Sequence, residues 1–305
     1  MKRALFVVNP KSGKANIRNS LLGITDILTK SDYLTSVYIT QKAKDATDII
    51  LKTGMEYDLL VCAGGDGTLD EVVGGIMRLD KKIPIGYVPS GSTNDFAKSM
   101  GISSDNLEAA QTIVKGTPFL CDVGLFNDSY FTYVAAFGAF TEVSYSTPQQ
   151  TKNVLGHLAY ILEGAKSLAS IQSYPICVKY KEEETGEELE IKDEIILGMV
   201  TNSITVGGMK RYKEEQVAFD DGLFEVILIR NPKNMIELNA ILGSLLLNDM
   251  NSEYIYYFKT ENLKFESESE INWTLDGEFG GSLKEAEITN IKQGFSIYRN
   301  MGIQE

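Results

Sequence analysis

Strand and helix patterns alternate through the first 120 residues, and this alternation limits the fold more than any other feature of the sequence. Short continuous apolar runs, of the kind buried in a parallel sheet, predict four strands: Ala4–Asn9, Val37–Thr40, Leu59–Ala63 and Ile83–Val88. Helical patterns lie between and after them: Asn16–Thr29, Asp45–Thr53, Leu69–Met77 and Asp105–Lys115. This alternation indicates a doubly wound α/β sheet, which binds ligands at the carboxyl ends of its strands.

The second part of the sequence, after about Asp122, has a different pattern. Its apolar runs are longer and rich in Val, Ile, Tyr and Phe, which favours antiparallel β structure in a sandwich or barrel. The predicted strands are Tyr130–Phe140, Ser173–Lys181, Ile191–Val200, Leu223–Arg230, Tyr254–Phe265 and Ile288–Tyr298. Two helical patterns interrupt them, Val154–Leu168 and Pro232–Leu247. We therefore expect two domains, as the length of 305 residues also indicates.

The acidic charge of the chain excludes several functions. The formal net charge is −13; residues 1–123 carry 14 basic and 14 acidic side chains, and residues 124–305 carry 15 and 28. No nucleic-acid partner is expected, because no basic stripe is present. The charge also excludes a general attraction to anionic membranes, but not a local docking surface. Three cysteines without CxxC spacing, and no signal-peptide or membrane-spanning run, predict a soluble cytoplasmic protein.

The strongest functional signal is the turn Gly64-Gly65-Asp66-Gly67-Thr68, between a predicted strand and a predicted helix. Glycines permit positive φ angles and let backbone N–H groups approach a phosphate closely. The start of the following helix adds a partial positive charge, Thr68 adds a hydroxyl, and Asp66 adds a carboxylate able to hold Mg²⁺. The turn predicts a phosphate site; the alternative is a glycine-rich turn without a ligand.

A second polar segment, Val88–Phe96, also follows a predicted strand. Its Ser92, Asn94 and Asp95 suit contacts with a further phosphate and a ribose. The same residue types are typical of an ordinary helix N-cap. The neighbouring GGDGT turn favours the functional interpretation.

Two more strands end on polar residues at the same predicted edge of the sheet. Asn9 ends the first strand and Thr40 the second, and each is either a nucleotide contact or an ordinary turn residue. GxxxxGK[ST] and GxGxxG are both absent, which argues against a P-loop and an ordinary dinucleotide fold.

Two acidic Asp-Gly motifs lie in the β-rich part. In an extended chain, Asp276 and Glu278 would share one face, and two nearby carboxylates suit a general base. The alternative is an Asp-Gly hairpin turn with a solvated Glu278. Asp221, which precedes Gly222, suits either a metal-binding loop or a plain turn. The single histidine, His157, lies in a helical pattern, so neither a Ser-His-Asp triad nor a histidine zinc site is supported.

These motifs together resemble those of the diacylglycerol kinase catalytic-domain superfamily, in particular its soluble bacterial lipid kinases. The matching segments are GGDGT, PSGSTNDFAK from Pro89, DDGLFEV from Asp220 and LDGE from Leu275. The resemblance covers nearly the whole chain. It implies a nucleotide domain like that of NAD kinases and phosphofructokinases over 1–123. An antiparallel β-sandwich domain for the lipid would follow over 124–289, and about 290–305 would return to the first domain.

The resemblance also implies roles for individual residues. Those that match the family's nucleotide contacts are Asn9, Thr40, Gly64, Gly65, Asp66, Gly67, Thr68, Ser92 and Asn94. Asp66 and Asp95 match the acids associated with the catalytic Mg²⁺. Glu278 matches the proton acceptor, with Asp276 beside it. A second, structural Mg²⁺ would be held by Asp221 and the carbonyl groups of Ala218 and Leu223.

The reaction implied by the resemblance is transfer of the γ-phosphoryl group of ATP, with Mg²⁺, to the hydroxyl of a membrane lipid, foremost diacylglycerol. It requires peripheral contact with the inner face of the membrane. The candidates for the wall of an acyl-chain cleft, or for an ordinary core, are Phe131, Tyr133, Phe137, Phe140 and the helix that carries Tyr160 and Ile161. The alternatives are a NAD-kinase-like enzyme and a non-catalytic nucleotide- or lipid-binding module. Sequence alone leaves open the lipid and the choice between monomer and homodimer.

Overall fold

The structure is a computed structural model that describes residues 1–13, 17–92, 94–138, 171–183, 185–202, 205–206, 209–210, 219–247 and 249–300. The predicted helix Val154–Leu168, and Phe140, lie outside the described residues. Contacts divide the chain into two units: Met1–Asp122 with Gln293–Glu305, and Val123–Lys292.

The first unit contains a parallel sheet of four short strands, as predicted. They are β1 (Lys2–Val8), β2 (Tyr33–Ile39), β3 (Leu59–Gly64) and β4 (Ile85–Pro89). Their order is β2-β1-β3-β4. The chain goes from β1 to β2 on one side and then returns to β3 on the other. The connections therefore diverge between β1 and β3, which is where open α/β sheets bind their ligands.

Helices follow each of these strands. They are α1 (Ile17–Lys30), α2 (Asp45–Thr53), α3 (Asp66–Met77), α4 (Asp95–Ser99) and α5 (Asn106–Lys115). All were predicted except the short α4. The side chain of Asp105 accepts hydrogen bonds from the backbone N of Leu107 and Glu108, both at 2.9 Å, which fixes the start of α5. Helix α5 packs on α1, where Asn106 Nδ2 donates to Ser20 Oγ at 3.1 Å, and α2 packs on α3.

The second unit is rich in antiparallel strands, as predicted. They are β5 (Thr117–Phe126, which begins in the first unit), β6 (Ser129–Phe131), β7 (Val134–Gly138), β8 (Tyr174–Lys181), β9 (Glu188–Thr201), β10 (Thr205–Val206), β11 (Met209–Lys210), β12 (Phe224–Arg230), β13 (Ile255–Thr260), β14 (Asn262–Leu275) and β15 (Glu278–Arg299, which ends in the first unit). Hydrogen bonds connect six of these strands in the order β13-β12-β9-β7-β14-β15, and β8 pairs with both β9 and β14. The last part of β15 pairs with β4 through Ile297 and Ile85.

Two predicted strands are each divided in the structure. The run Tyr130–Phe140 forms β6 and β7, which are separated by Thr132 and Tyr133. The run Tyr254–Phe265 forms β13 and β14, because the chain turns at Glu261. Apolar and aromatic sequence conceals the first break. The second break falls in the polar run Lys259-Thr260-Glu261-Asn262, which the prediction included in one strand.

Two apolar clusters form the core of the second unit. In one, Trp273 packs on Phe126, Phe137 and Phe265, with ring centroids 4.7 to 5.0 Å apart. Phe131 and Phe137 are fully buried in it, so the cleft-wall interpretation is wrong for these two residues. The other lies under helix α6 (Met235–Leu247). In the described part of the chain, no helix has both the length and the apolar character needed to cross a bilayer.

Candidate active site

Three turns of the first unit come together at the carboxyl ends of β1, β3 and β4. The backbone N of Ser90 donates to Gly64 O at 2.8 Å. A Cβ atom on Gly91 would lie 2.5 Å from Gly65 Cα, and one on Gly13 would lie 2.2 Å from Ser90 O. The three turns are thus in backbone-to-backbone contact, which no larger residue permits at these positions. This packing leaves a surface lined by main chain, of the kind that binds phosphate through N–H groups.

Asp66 connects two of these turns. It is the first residue of α3 and is buried. Its Oδ2 accepts a hydrogen bond from Asp95 N at 3.1 Å, and its Oδ1 accepts one from Phe96 N at 3.3 Å, so it caps the start of α4. Asp95 pairs with Lys98, with Oδ1 and Nζ 3.1 Å apart. Two carboxylates on adjacent turns provide the oxygen donors that Mg²⁺ prefers, so the residues present fit a catalytic magnesium.

Of the two asparagines predicted to contact a nucleotide, Asn9 connects two turns and Asn94 fixes its own turn. Asn9 donates from Nδ2 to Thr68 Oγ1 at 2.9 Å and accepts from Lys11 N at 3.0 Å. Asn94 accepts from Gly91 N at 2.8 Å and donates to Gly91 O at 3.0 Å. Contact of either side chain with a nucleotide stays a prediction.

The remaining predicted contacts lie at the same edge of the sheet. Thr40 is buried at the end of β2, with its backbone N 2.9 Å from Val8 O. Ser92 is exposed on the turn after β4. Thr68 is buried in the first turn of α3.

Tyr87 is a polar residue of this site that the sequence analysis missed. Its hydroxyl donates to Gly64 O at 3.3 Å from within the buried strand β4. Burial, and then the negative charges of Asp66 and its neighbours, raise the pKa of Tyr87 well above its usual value. The neutral hydroxyl of Tyr87 therefore fixes the backbone carbonyl of Gly64, at the start of the glycine turn. The signal was present, because a tyrosine interrupts the otherwise apolar strand Ile85–Pro89.

In the second unit, Asp276 and Gly277 form the turn of the β14–β15 hairpin. Leu275 pairs with Glu278, and φ is positive at both Asp276 (50°) and Gly277 (89°). Two residues with positive φ are typical of a two-residue type I′ hairpin turn. The expectation that Asp276 and Glu278 share one face of an extended strand is therefore wrong. The structure matches the alternative, an Asp-Gly turn followed by an exposed Glu278.

The Asp276 carboxylate is buried and bound by the segment Thr132–Val134. Its Oδ2 accepts from the backbone N of Thr132 at 2.5 Å and from the hydroxyl of the same residue at 3.0 Å. Its Oδ1 accepts from the backbone N of Tyr133 at 3.0 Å and of Val134 at 2.8 Å. Four donors on one carboxylate fix the turn and thereby place Glu278 at the first position of β15.

Asn202 is a second polar residue that the sequence analysis missed. Its backbone N donates to Tyr133 O at 2.9 Å, next to the segment that binds Asp276. The residue is 1% exposed, and within the described part of the chain neither atom of its side-chain amide has a hydrogen-bond partner. A buried amide of this kind is a position where water or a polar ligand group is expected.

The predicted structural metal site around Asp221 stays a prediction, because one of its three ligands, the carbonyl group of Ala218, lies outside the described residues. Lys259 Nζ lies 3.8 Å from Asp221 Oδ2 and 3.1 Å from Glu225 Oε1. Lys292 Nζ donates to the carbonyl oxygen of Asp221 at 3.1 Å. Two ammonium groups therefore lie within 3.8 Å of oxygen atoms of Asp221, one beside its carboxylate and one beside its backbone carbonyl. No group of three metal-ligating side chains occurs among the described residues, and Ala218 lies outside them.

Comparison with known proteins is consistent with this geometry. The sequence model named Diacylglycerol kinase catalytic domain matches residues 3–126. A diacylglycerol kinase of Bacillus subtilis (strain 168) is 34% identical over 294 residues, which cover 95% of this chain and 94% of that protein. A diacylglycerol kinase of Staphylococcus carnosus (strain TM300) is 33% identical over 300 residues, covering 97% of this chain and 95% of that protein.

The chain belongs to the diacylglycerol kinase family. The fold agrees: a diacylglycerol kinase structure from Bacillus anthracis str. Sterne has a TM-score of 0.74 at 24% identity and covers 99% of this chain and 98% of its own. Another structure from that organism has a TM-score of 0.81 at 24% identity, covering 99% and 96%. The family and enzyme class predicted from the sequence, a lipid kinase of the diacylglycerol kinase type, are confirmed. Membership of a kinase family implies that the protein uses a nucleotide.

Proposed function

We propose that this member of the diacylglycerol kinase family transfers the γ-phosphoryl group of ATP to the hydroxyl of diacylglycerol, giving phosphatidic acid. The observation that carries the proposal is the contact of the glycine turns where the strand connections diverge, between β1 and β3. In a kinase family, a main-chain surface of this kind is suited to the phosphates of ATP. In this proposal the first unit is the nucleotide domain, and the second is a β-sandwich that binds the lipid.

The proposed nucleotide contacts are main-chain groups of Gly64 to Thr68. We assign the support of that turn to Tyr87, which donates to the backbone carbonyl of Gly64, and to Asn9, which donates to the side chain of Thr68. Asn94 supports the neighbouring turn through Gly91. Asp66 and Asp95 would hold Mg²⁺, which when bound neutralises charge on the transferring phosphoryl group. Because Asp66 also caps α4, loss of its carboxylate would disturb the position of Asp95 as well.

We propose that Glu278 accepts the proton of the attacking lipid hydroxyl. Two features support the assignment. Its carboxylate is exposed, and its backbone follows directly on a turn that four hydrogen bonds to Asp276 make rigid. A base that is fixed at its backbone and exposed at its carboxylate can approach a substrate hydroxyl, as proton abstraction requires. Asp276 is assigned to positioning and not to proton transfer.

The test is phosphoryl transfer by the purified full chain, with labelled ATP, Mg²⁺ and vesicles that contain diacylglycerol, followed by thin-layer separation of the lipids. We expect label in phosphatidic acid. Glu278→Gln should lower turnover by about 10²- to 10⁴-fold, because a neutral amide cannot accept the proton, while the affinity for ATP stays within about twofold. Glu287→Gln, an exposed glutamate of the same strand, is the matched control and should retain full turnover.

Two outcomes would contradict the proposal. Transfer of label to NAD, with none to lipid, would replace it with the NAD-kinase-like alternative. Equal turnover by wild type and Glu278→Gln would remove Glu278 from the reaction.

A further inference from the structure

Strand β2 forms an open edge of the parallel sheet. In the described part of the chain it pairs with β1 alone. Thr40 N donates to Val8 O at 2.9 Å, and Lys2 N donates to Asp32 O at 3.1 Å. Alternate residues of a strand face the same neighbour in a parallel pair, so the even-numbered residues of this segment face β1. The backbone N–H and C=O groups that point away from the sheet belong to Tyr33, Thr35, Val37 and Ile39.

These outward-pointing backbone groups lack strand partners. Within the described residues, only the carbonyl of Ile39 accepts a hydrogen bond, from Nε2 of Gln41 at 2.8 Å. An edge of this kind is a template on which a further strand can pair.

Strand β2 also has none of the features that usually prevent such pairing. Natural edge strands are protected by charged side chains, by proline, by bulges or by short length. The sequence YLTSVYI contains no charge and no proline, and its register with β1 continues over seven residue pairs without a bulge. Three of its aliphatic side chains are exposed: Leu34 by 58%, Val37 by 42% and Ile39 by 45%. The edge is therefore suited to pairing.

The backbone pattern fits a second copy of the same strand. In an antiparallel pair, two directly opposite residues that point toward each other exchange two hydrogen bonds. A two-fold axis at Ser36 would place Tyr33 opposite Ile39 of the second copy, and Thr35 opposite Val37 of the second copy. Every outward-pointing residue then faces another outward-pointing residue. All the open backbone groups of both copies are paired in this one register.

The side chains fit the same register. Tyr33 would lie beside Ile39, and Leu34 beside Tyr38 of the second copy, which are aromatic–aliphatic pairs of the kind that stabilise antiparallel strands. Ser36, the smallest side chain of β2, would meet its own copy at the axis. A partner strand of unrelated sequence would not supply this match, so we commit to a second copy.

The charges at the ends of the strand do not oppose this pairing. The register brings Lys30 of one copy toward Lys42 of the other. Each lysine already has an acidic partner in its own chain: Lys30 Nζ lies 2.6 Å from Asp26 Oδ2, and Lys42 Nζ lies 3.7 Å from Asp48 Oδ2. Two compensated lysines repel weakly when both are exposed to solvent.

We propose that the protein forms a two-fold symmetric homodimer in which β2 pairs antiparallel with β2 of a second copy, with Ser36 on the axis. The parallel sheets of the two copies would then form one continuous sheet. Because the copies run in opposite directions, the carboxyl ends of their parallel strands lie at opposite edges of that sheet. Each glycine turn belongs to one chain alone, so the inference does not depend on the proposed function.

The first experiment tests the register by cross-linking. Ser36→Cys is made in a Cys177→Ser background, because Cys62 and Cys121 are buried and Cys177 is not. At the axis the two Cα atoms should be about 4.5 Å apart, which a disulfide can bridge. We expect a disulfide-linked dimer after oxidation of the full chain. Leu34→Cys is the matched control, since its two copies would lie about 14 Å apart along the strands and should not cross-link.

The second experiment measures the mass of the full chain in solution by light scattering and sedimentation. The wild type should have twice the mass of one chain. Val37→Lys should weaken dimerisation at least about tenfold, because it places two lysines near the axis and charges the open edge. Leu22→Lys is the control, since Leu22 is 82% exposed on α1, and its dimerisation should stay within about twofold of wild type.

Three results would overturn the proposal. They are a wild type that stays monomeric at every concentration measured, a folded Val37→Lys protein that dimerises as tightly as wild type, and cross-linking of Leu34→Cys as readily as Ser36→Cys. Thermal unfolding shows whether Val37→Lys is folded. If it is not, the comparison of the two cysteine variants decides alone.

Discussion

Gly91→Ala is the substitution that most directly tests the contact between the glycine turns. The added methyl carbon would lie 2.5 Å from Gly65 Cα and 2.7 Å from Asn94 Oδ1. Carbon atoms in contact are normally separated by about 3.5–4.0 Å, so the two turns must move apart by about 1 Å. Because the nearest atoms belong to the backbone of Gly65, no side-chain rotation relieves the clash.

The expected cost falls mainly on nucleotide affinity. Overpacking of this kind costs about 1–3 kcal/mol. Since 1.4 kcal/mol corresponds to a factor of ten in an equilibrium constant, we expect ATP to bind about 10- to 100-fold more weakly.

The assay is isothermal titration of the full chain with ATP and Mg²⁺, together with thermal unfolding in the presence and absence of ATP. Stabilisation by ATP should decrease with the logarithm of the lost affinity, by up to about 1.4 kcal/mol for each factor of ten. Gly101→Ala is the control, because Gly101 has φ +66° and a Cβ there would have no neighbour within 4 Å. This control loses stability through backbone strain without obstructing the turns, so it should bind ATP normally. A folded Gly91→Ala protein with wild-type ATP affinity would refute the reasoning.

Three further predictions concern the second unit. Asp276→Asn should lower the free energy of unfolding, measured by chemical denaturation, by about 3–5 kcal/mol, because an amide cannot accept all four hydrogen bonds. Unchanged stability would contradict the role of Asp276 in fixing the hairpin turn. Without nucleotide, exchange of Mg²⁺ for EDTA should lower the melting temperature by several degrees, because the predicted metal at Asp221 would bind only the native state. An unchanged melting temperature would contradict this metal site. Burial raises the pKa of Glu225 from 4.5 to about 7 against the effect of Lys259, so the native state binds this proton more tightly than the unfolded state. The stability contributed by the group therefore rises as pH falls, and from about pH 7.5 to 5 the wild type should gain about 2 kcal/mol relative to Glu225→Gln; equal pH profiles would exclude the shift.

The parallel half of the fold could be predicted because β1, β3 and β4 are short apolar runs that are mostly or fully buried, and because each of the four strands is followed by a helix. The edge strand β2 is only partly buried, but it too is a short apolar run. Asp45–Thr53 was predicted with its observed bounds, since an acidic residue begins it and a glycine follows it. Helix α4 was missed because five residues show no helical period. Its start depends on the Asp66 carboxylate, 29 residues earlier, which no local pattern contains.

The candidate site was predictable in its residue types and not in its contacts. GGDGT identified the glycine turn, but the contact of Gly65 with Gly91 depends on two strands lying side by side. The backbone N–H groups of Thr132–Val134 bind the carboxylate of Asp276. Because nearly every residue carries the same backbone N–H group, the sequence does not show which ones bind. Long-range pairing of this kind has no signature in composition or spacing.

The two acids of the LDGE motif illustrate why residue type alone misassigns chemistry. As an extended pair, Asp276 and Glu278 would share a proton, and each would shift the pKa of the other. The turn separates them: positive φ directs Asp276 into a ring of four donors, and Glu278 begins the next strand with an exposed carboxylate. A carboxylate that accepts four hydrogen bonds is stabilised as the anion and is a poor proton acceptor. The exposed carboxylate of Glu278 keeps its lone pairs available for a proton. We therefore assign proton transfer to Glu278 and the positioning of the turn to Asp276.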